Sequence, residues 1–200
     1  MVDIAAPISQ ACENNKAPIL EVLRRVFDHS QQVMEIGSGT GQHAAWFAQH
    51  LPHLVWQPTD VAEHLAGIEL WRAQAGCPNL KKPLPFNIHD SGWPLDSCDA
   101  VFSANTAHIM SWPTACLMIK RVAEHLPTGG VFALYGPFNY HGTYTSESNQ
   151  NFDVWLKEQD PVRAIRDFEK VDQQARNHGL NLFEDNAMPA NNRLLVWVKS

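Results

Sequence analysis

Long apolar runs are missing from this 200-residue chain, and with no stretch of about 18 apolar residues no transmembrane helix is expected. The N-terminal stretch MVDIAAPISQACENNK has no charged segment leading into an apolar one, so no signal peptide is expected. Cysteine is scarce. Cys12, Cys77, Cys98 and Cys116 show no close pairing, which argues against a metal site and suits reduced thiols in a cytoplasmic protein. Basic residues are in deficit, 15 against 21 acidic, for a net charge of −6. With no basic run to neutralise phosphates, nucleic acid is not an expected partner. Repeats, low-complexity tracts and linkers are also missing. What remains is 44% apolar and 18% charged, the balance of a globular domain long enough to bury a substantial core.

Helical and extended patterns alternate through the first two thirds, the order that builds a parallel sheet covered by helices. Ile19, Leu20, Leu23, Val26 and Phe27 recur at helical spacing and predict a helix over Asn15–His29. Short strands are predicted over 32–36, 54–59, 84–88, 99–103 and 131–135. Helices are predicted over 41–51 and 61–75 and along the stripe Ala115, Met118, Ile119, Val122, Leu126. Residues 139–149 are polar and aromatic without a period and read as a long loop. Helices are then expected over 152–157 and 167–178. Strands over 180–184 and 194–198, joined by a Pro- and Asn-rich loop, read as an antiparallel pair.

Glu35-Ile36-Gly37-Ser38-Gly39-Thr40-Gly41 sits between a predicted strand and a predicted helix, the setting in which a glycine motif carries meaning. Glycine permits positive φ and close backbone approach to a ligand. The spacing is GxGxG, whereas dinucleotide folds use GxGxxG, with a third glycine where this chain has Gln42. Glu35 precedes the loop, and Asp60 ends the second predicted strand, where a carboxylate can accept both ribose hydroxyls. The plainer readings are a helix-dipole partner for Glu35 and a helix N-cap for Asp60.

Loop, acids and element order together resemble the class I S-adenosylmethionine-dependent methyltransferases. The resemblance implies a Rossmann-like α/β fold with a mostly parallel seven-stranded sheet, an antiparallel C-terminal hairpin and helices on both faces. It implies S-adenosyl-L-methionine as cofactor and S-adenosyl-L-homocysteine as product. Glu35, Gly37, Ser38, Gly39, Thr40 and Gly41 would take the methionine part and Asp60 the ribose. Asn87 and Ile88, with Asp90 competing, would contact the adenine, and Asn105 would join them from the end of the fourth strand.

A narrower resemblance covers about residues 10–199. The blocks Glu13-Asn14-Asn15-Lys16-Ala17-Pro18, Gly37 through His43, Trp56-Gln57-Pro58-Thr59-Asp60, Ala104-Asn105-Thr106-Ala107-His108-Ile109, Tyr135-Gly136-Pro137-Phe138, Thr145-Ser146-Glu147-Ser148-Asn149 and Ala187-Met188-Pro189-Ala190-Asn191-Asn192 look like the domain-of-unknown-function 938 family, which includes methyltransferase-like protein 26. Asn14 stands where relatives are expected to carry Arg.

One domain over 1–200 is expected, with a lid helix at about 13–29, a cofactor-binding half at about 30–110 and a substrate loop at about 136–150. Methyl transfer is an in-line displacement in which positioning supplies much of the rate, and a base is needed only if the acceptor must lose a proton. His108 is the candidate base or acceptor-binding residue; the alternative is a packing histidine bonded to backbone. Tyr135 is its candidate catalytic neighbour. Tyr140, Glu147 and Asn149 are candidates for acceptor binding, with core or lid aromatic and helix cap as the plainer roles. Asn191 and Asn192 read as turn residues. The absence of an Asn-Pro-Pro-aromatic block argues against methylation of adenine or glutamine nitrogen, and the absence of a Pro-Cys pair against cytosine carbon methylation. The expected acceptor is a small molecule. The rival readings are a non-catalytic S-adenosylmethionine-binding protein and an NAD(P)-linked oxidoreductase.

Overall fold

A computed structural model of the chain describes residues 5–200. They divide into two compact units, one ending at Phe102 and the other Ser103–Ser200.

The first unit opens with α1 (Gln10–Val26), then β1 (Gln32–Ile36), α2 (Gln42–His50), β2 (Val55–Asp60), a 3-10 turn at Ala62–His64, α3 (Leu65–Ala75) and β3 (Leu84–Pro85). β4 (Ala100–Ala104) runs across the boundary. β2 pairs parallel with β1 and with β3. Successive parallel strands need crossovers, and α2 and α3 supply them. The Asp99 carboxylate accepts hydrogen bonds from Gln31 N and Gln32 N, so the entry to β4 is tied to the start of β1. α1 starts three residues before the predicted lid helix and ends three earlier. Its first turn, Gln10-Ala11-Cys12-Glu13, carries no apolar stripe, so periodicity does not reveal it. Pro18 lies inside α1, which therefore lacks one amide donor.

The core of this unit is aromatic. Phe47, Trp56 and Phe102 meet with ring centroids 5.3 to 5.9 Å apart, and all three are fully buried. Trp56 also donates Nε1–H to Glu35 Oε2 at 3.0 Å, which links the core to the residue before the glycine loop.

The second unit contains α4 (Trp112–His125), β5 (Val131–Asn139), α5 (Glu147–Gln159), β6 (Arg166–Asp167), α6 (Phe168–Asn177), β7 (Leu180–Met188), a 3-10 turn at Pro189–Asn191 and β8 (Asn192–Lys199). β5 pairs antiparallel with β8, β8 antiparallel with β7, and β6 parallel with β5. Ser111 caps α4 and Ser146 caps α5, each hydroxyl accepting an amide hydrogen bond from the first turn. Phe132 stacks on Trp197 at 5.6 Å, and Trp197 donates Nε1–H to Asp172 Oδ1 at 3.0 Å.

The sheet has eight strands where the sequence predicts seven. The extra strand is β6, two polar residues that no pattern marks. β3 is only two residues long, against five predicted. β5 runs four residues further than predicted, to Asn139, and α5 begins at Glu147, so the predicted 139–149 loop shrinks to 140–146. β7 extends to Met188 through the polar Asp185 and Asn186, held by its ladder to β8, with a bulge between Leu182 and Glu184 that turns Phe183 to solvent.

Candidate functional site

In the first unit the glycine loop caps the C-terminal end of β1. Gly37, Gly39 and Gly41 all have left-handed backbone, with φ of 73°, 57° and 91°. Gly37 N and Ser38 N both donate to Thr59 O, and Thr59 Oγ1 donates back to Glu35 O at 2.7 Å. The loop is thereby tied to the end of β2.

The glycines differ in what requires them. A Cβ on Gly41 would lie 2.7 Å from Ile68 Cα, so Gly41 lets α3 pack against the start of α2. A Cβ on Gly39 would meet no atom of the described residues within 4 Å. Above Gly39 there is room for a ligand.

Asp60 is buried, and its carboxylate organises the loop. Oδ2 accepts from Gly39 N at 2.7 Å; Oδ1 accepts from Val61 N at 2.7 Å and lies 2.8 Å from His64 Nδ1. Sequence reasoning missed His64, although its i,i+4 spacing from Asp60 is a usable signal. Glu35 lies under the loop, almost fully buried. Its Oε2 accepts from Ser38 Oγ at 2.9 Å and from Trp56 Nε1. Burial, reinforced by the nearby Asp60 charge, pushes its pKa up to about 7 against the opposing pull of those two bonds.

Thr40 Oγ1 donates to Gln42 Oε1, which also accepts from Ser9 N; Gln42 Nε2 donates to Glu13 Oε1. The start of α1 is thus pinned to the glycine loop through Gln42, a residue the sequence reading passed over. Beyond β3, Ile88 is buried and Asn87 exposed. Asn87 Oδ1 accepts from His89 N at 3.0 Å, and Asp90 Oδ2 accepts from Asn87 N at 2.8 Å, so Asn87 and Asp90 form one local turn.

In the second unit, Asn105 follows β4 with φ 57° and donates its amide to Tyr135 O at 2.8 Å. Asn is among the few residues that tolerate this backbone. Tyr135 is a buried residue of β5. His108 is buried, edge-on to Phe152 at 5.5 Å. Burial, with help from the Arg166 and Arg163 charges, lowers its pKa to about 4. Arg166 holds the 107–110 segment, donating to Ala107 O at 3.1 Å and also to Met110 O.

Tyr140 and Asn149 belong to a second cluster in this unit. Tyr140 Oη donates to Asp185 Oδ2 at 2.8 Å, and Arg193 Nε donates to Asp185 Oδ1 at 2.7 Å. Asn149 Nδ2 donates to Thr145 Oγ1 and to Asn191 O. Glu147 is exposed in the first turn of α5, and Ser146, not Glu147, caps that helix. Among the described residues no group of three or more His, Cys, Asp or Glu is placed to hold a metal ion, and no helix is long and apolar enough to cross a membrane.

A family model described as Protein of unknown function (DUF938) matches residues 6–199. Solved methyltransferase structures share the fold. An O-methyltransferase family protein from Burkholderia thailandensis is 16% identical, covers 92% of this chain and superposes with a TM-score of 0.81. An O-methyltransferase family 2 protein from Planctomyces limnophilus, in complex with apigenin, is 14% identical, covers 95% and has a TM-score of 0.83. PigF with SAH is 14% identical, covers 92% and has a TM-score of 0.77. This chain spans 56%, 58% and 61% of the lengths of those three chains. At this identity the likeness shows the fold alone: a Rossmann-like methyltransferase fold, mostly parallel, with an antiparallel C-terminal pair and flanking helices.

Proposed function

The chain belongs to the DUF938 family of proteins of unknown function, and from that premise we propose that it is an S-adenosylmethionine-dependent methyltransferase acting on a small-molecule acceptor. The observation that carries this reading is Gly39. Its N–H is held by Asp60, its φ is positive, and its Cβ position opens onto space that no neighbour fills. The loop also stands beyond the carboxyl end of a parallel strand, where α/β sheets bind ligands. The S-adenosylhomocysteine bound to PigF and the apigenin bound to the Planctomyces protein support the same choice of cofactor and acceptor class.

The residues present suit the cofactor. Asp60 would accept a ribose hydroxyl on the site left after its contacts with Gly39, Val61 and His64, since a carboxylate offers about four acceptor sites. Gly37, Ser38, Gly39, Thr40 and Gly41 would receive the methionine part, with Glu35 acting from beneath the loop through Ser38. Ile88 would pack against the adenine and Asn87 would accept its amino hydrogen on the second lone pair of Oδ1. Asn105 would complete the cofactor side.

S-adenosylmethionine supplies an electrophilic methyl carbon on a sulfonium; a lone pair of the acceptor forms the new bond as the carbon–sulfur bond breaks. His108, kept unprotonated by burial, is the residue we assign to accept the hydrogen bond of an acceptor hydroxyl, with Tyr135 beside it in the sequence-derived site. Arg166 positions the His108 segment. Tyr140, Glu147 and Asn149 are assigned to acceptor binding.

Calorimetric titration tests the reading. S-adenosylhomocysteine is expected to bind and NAD to give no heat. Binding of NAD without binding of either S-adenosyl compound would overturn it.

A further inference from the structure

The second unit contains a cavity of about 290 Å³ whose walls include Tyr140, Thr145, Met188, Asn191, Asn192 and Arg193. Among the described residues Arg193 is the only charged side chain that lines it, and no carboxylate does. Asp185 lies behind the wall. It takes Arg193 Nε at 2.7 Å and accepts the Tyr140 hydroxyl at 2.8 Å, while its backbone carbonyl takes Arg193 Nη2 at 3.0 Å. These bonds fix the guanidinium through Nε and Nη2. The Tyr140 ring is fixed as well, stacked on Phe168 at 5.1 Å with the Arg193 guanidinium 5.6 Å from its centroid.

The remaining wall is a strained turn. Ala190 and Asn191 both have φ 57°, two consecutive non-glycine residues in left-handed backbone. They are held by Asn149 Nδ2 donating to Asn191 O, Asn191 Nδ2 to Ser148 Oγ, and Asn192 Nδ2 to Pro189 O. Side-by-side left-handed residues persist only where surrounding bonds enforce them, and such strain clusters at ligand sites. Here it shapes a wall of the cavity.

We propose that this cavity binds a small aromatic molecule bearing acceptor oxygens, in the form of a hydroxylated aromatic carboxylate. The wall is rich in donors: the guanidinium, two side-chain amides and a threonine hydroxyl. A carboxylate matches the planar fork of an arginine. Met188 supplies an adaptable apolar surface for a ring. A cationic ligand would find no carboxylate to pair with among the described residues of the wall. This step deepens the methyltransferase reading, on which it rests, by naming a chemical class for the acceptor.

The test uses the full chain with 13C-labelled methionine methyl groups. 4-Hydroxybenzoate, titrated to about 10 mM so that even a millimolar Kd registers, is expected to shift the Met188 methyl signal. The fully buried Met34 and Met118 serve as internal controls and should stay fixed. Benzylamine, a ring of similar size with opposite charge, should leave Met188 unmoved. Ala187→Phe fills the cavity from an exposed position, and Arg193→Gln removes the guanidinium; each should weaken 4-hydroxybenzoate binding at least tenfold. No Met188 shift, an equal response to benzylamine, or undiminished affinity in folded Ala187→Phe would overturn the proposal. Titrating the same sample with S-adenosylhomocysteine separates the two levels: binding there with no Met188 response leaves the methyltransferase reading standing and removes this cavity from it.

Discussion

Asp60 Oδ2 accepts the backbone N–H of Gly39 at 2.7 Å, so the acid that ends β2 and the middle glycine of the loop after β1 form one unit. The same carboxylate holds Val61 N and pairs with His64. Loop shape and, on the proposed reading, ribose recognition therefore depend on one side chain. Asp60→Ala is expected to weaken S-adenosylhomocysteine binding by about 1–3 kcal/mol, the range for hydrogen bonds to a charged group. His64 is half exposed and makes only one of the three contacts on the Asp60 carboxylate, so His64→Ala should change the Kd less than about threefold. Calorimetry on both variants checks this; equal losses would move the recognition role to His64.

Gly39 and Gly41 should respond differently to substitution. Gly41→Ala drives a Cβ to within 2.7 Å of the Ile68 backbone at φ 91°, and is expected to cost about 2–4 kcal/mol of stability from strain and displaced backbone. Gly39→Ala meets nothing and should cost only the strain, about 1–2 kcal/mol. Gly39→Arg should remain folded yet lose cofactor binding, because the side chain occupies the space above the loop. Denaturant unfolding ranks the stabilities. A folded Gly39→Arg protein with unchanged affinity would place the cofactor elsewhere.

Glu35 makes stability depend on pH in an unusual direction. Its folded pKa of about 7 lies above the ordinary 4.5, so the folded state binds the extra proton between those values. Stability from this group is present in full below about pH 4.5 and lost as pH rises through 7, to the extent of about 3 kcal/mol. Glu35→Gln keeps an acceptor for Ser38 and Trp56 but cannot ionise. It is expected to match the wild type near pH 5 and to exceed it in stability at pH 8. A difference that does not vary with pH would show that Glu35 titrates normally.

His43 and His108 act with the opposite sign. Both are buried with pKa lowered to about 4, so the unfolded state binds the extra proton between pH 4 and 6.5. Their contribution is complete above pH 6.5 and disappears as pH falls toward 4. His108→Gln should therefore flatten the acid limb of the stability curve relative to wild type. In assays of methyl transfer, His108 should add no inflection to the rate profile between pH 6 and 8, since it is neutral throughout. An activity step near pH 6.5 that the substitution abolishes would show a protonating His108.

The glycine loop was legible because its information is local. Gly37, Gly39 and Gly41 follow five residues of apolar strand and precede a helical stripe, and Asp60 ends the next apolar strand. The core strand β4 was legible from its continuous apolar character, and β1 and β2 from the apolar pairs Val33-Met34 and Val55-Trp56. β6 and the second half of β7 were not, because Arg166, Asp167, Asp185 and Asn186 are strand residues only by virtue of their ladder partners. The predicted 139–149 loop was too long because Asn139 pairs with β6 at one end and α5, capped by Ser146, begins at Glu147 at the other.

By itself the sequence determined the order of elements, the turn that requires left-handed backbone and the acid beyond it, since backbone sterics and apolar periodicity act over a few residues. Tertiary structure decided the rest. It separated Gly41, required by Ile68, from Gly39, required by nothing around its Cβ position. It buried Glu35 and His108 and moved their proton affinities in opposite directions, because desolvation disfavours whichever form is charged. It also joined Tyr140 to Asp185 across 45 residues of chain, and Asp185 to Arg193. Hydrogen bonds at such separations follow from how strands pair, which residue spacing does not encode.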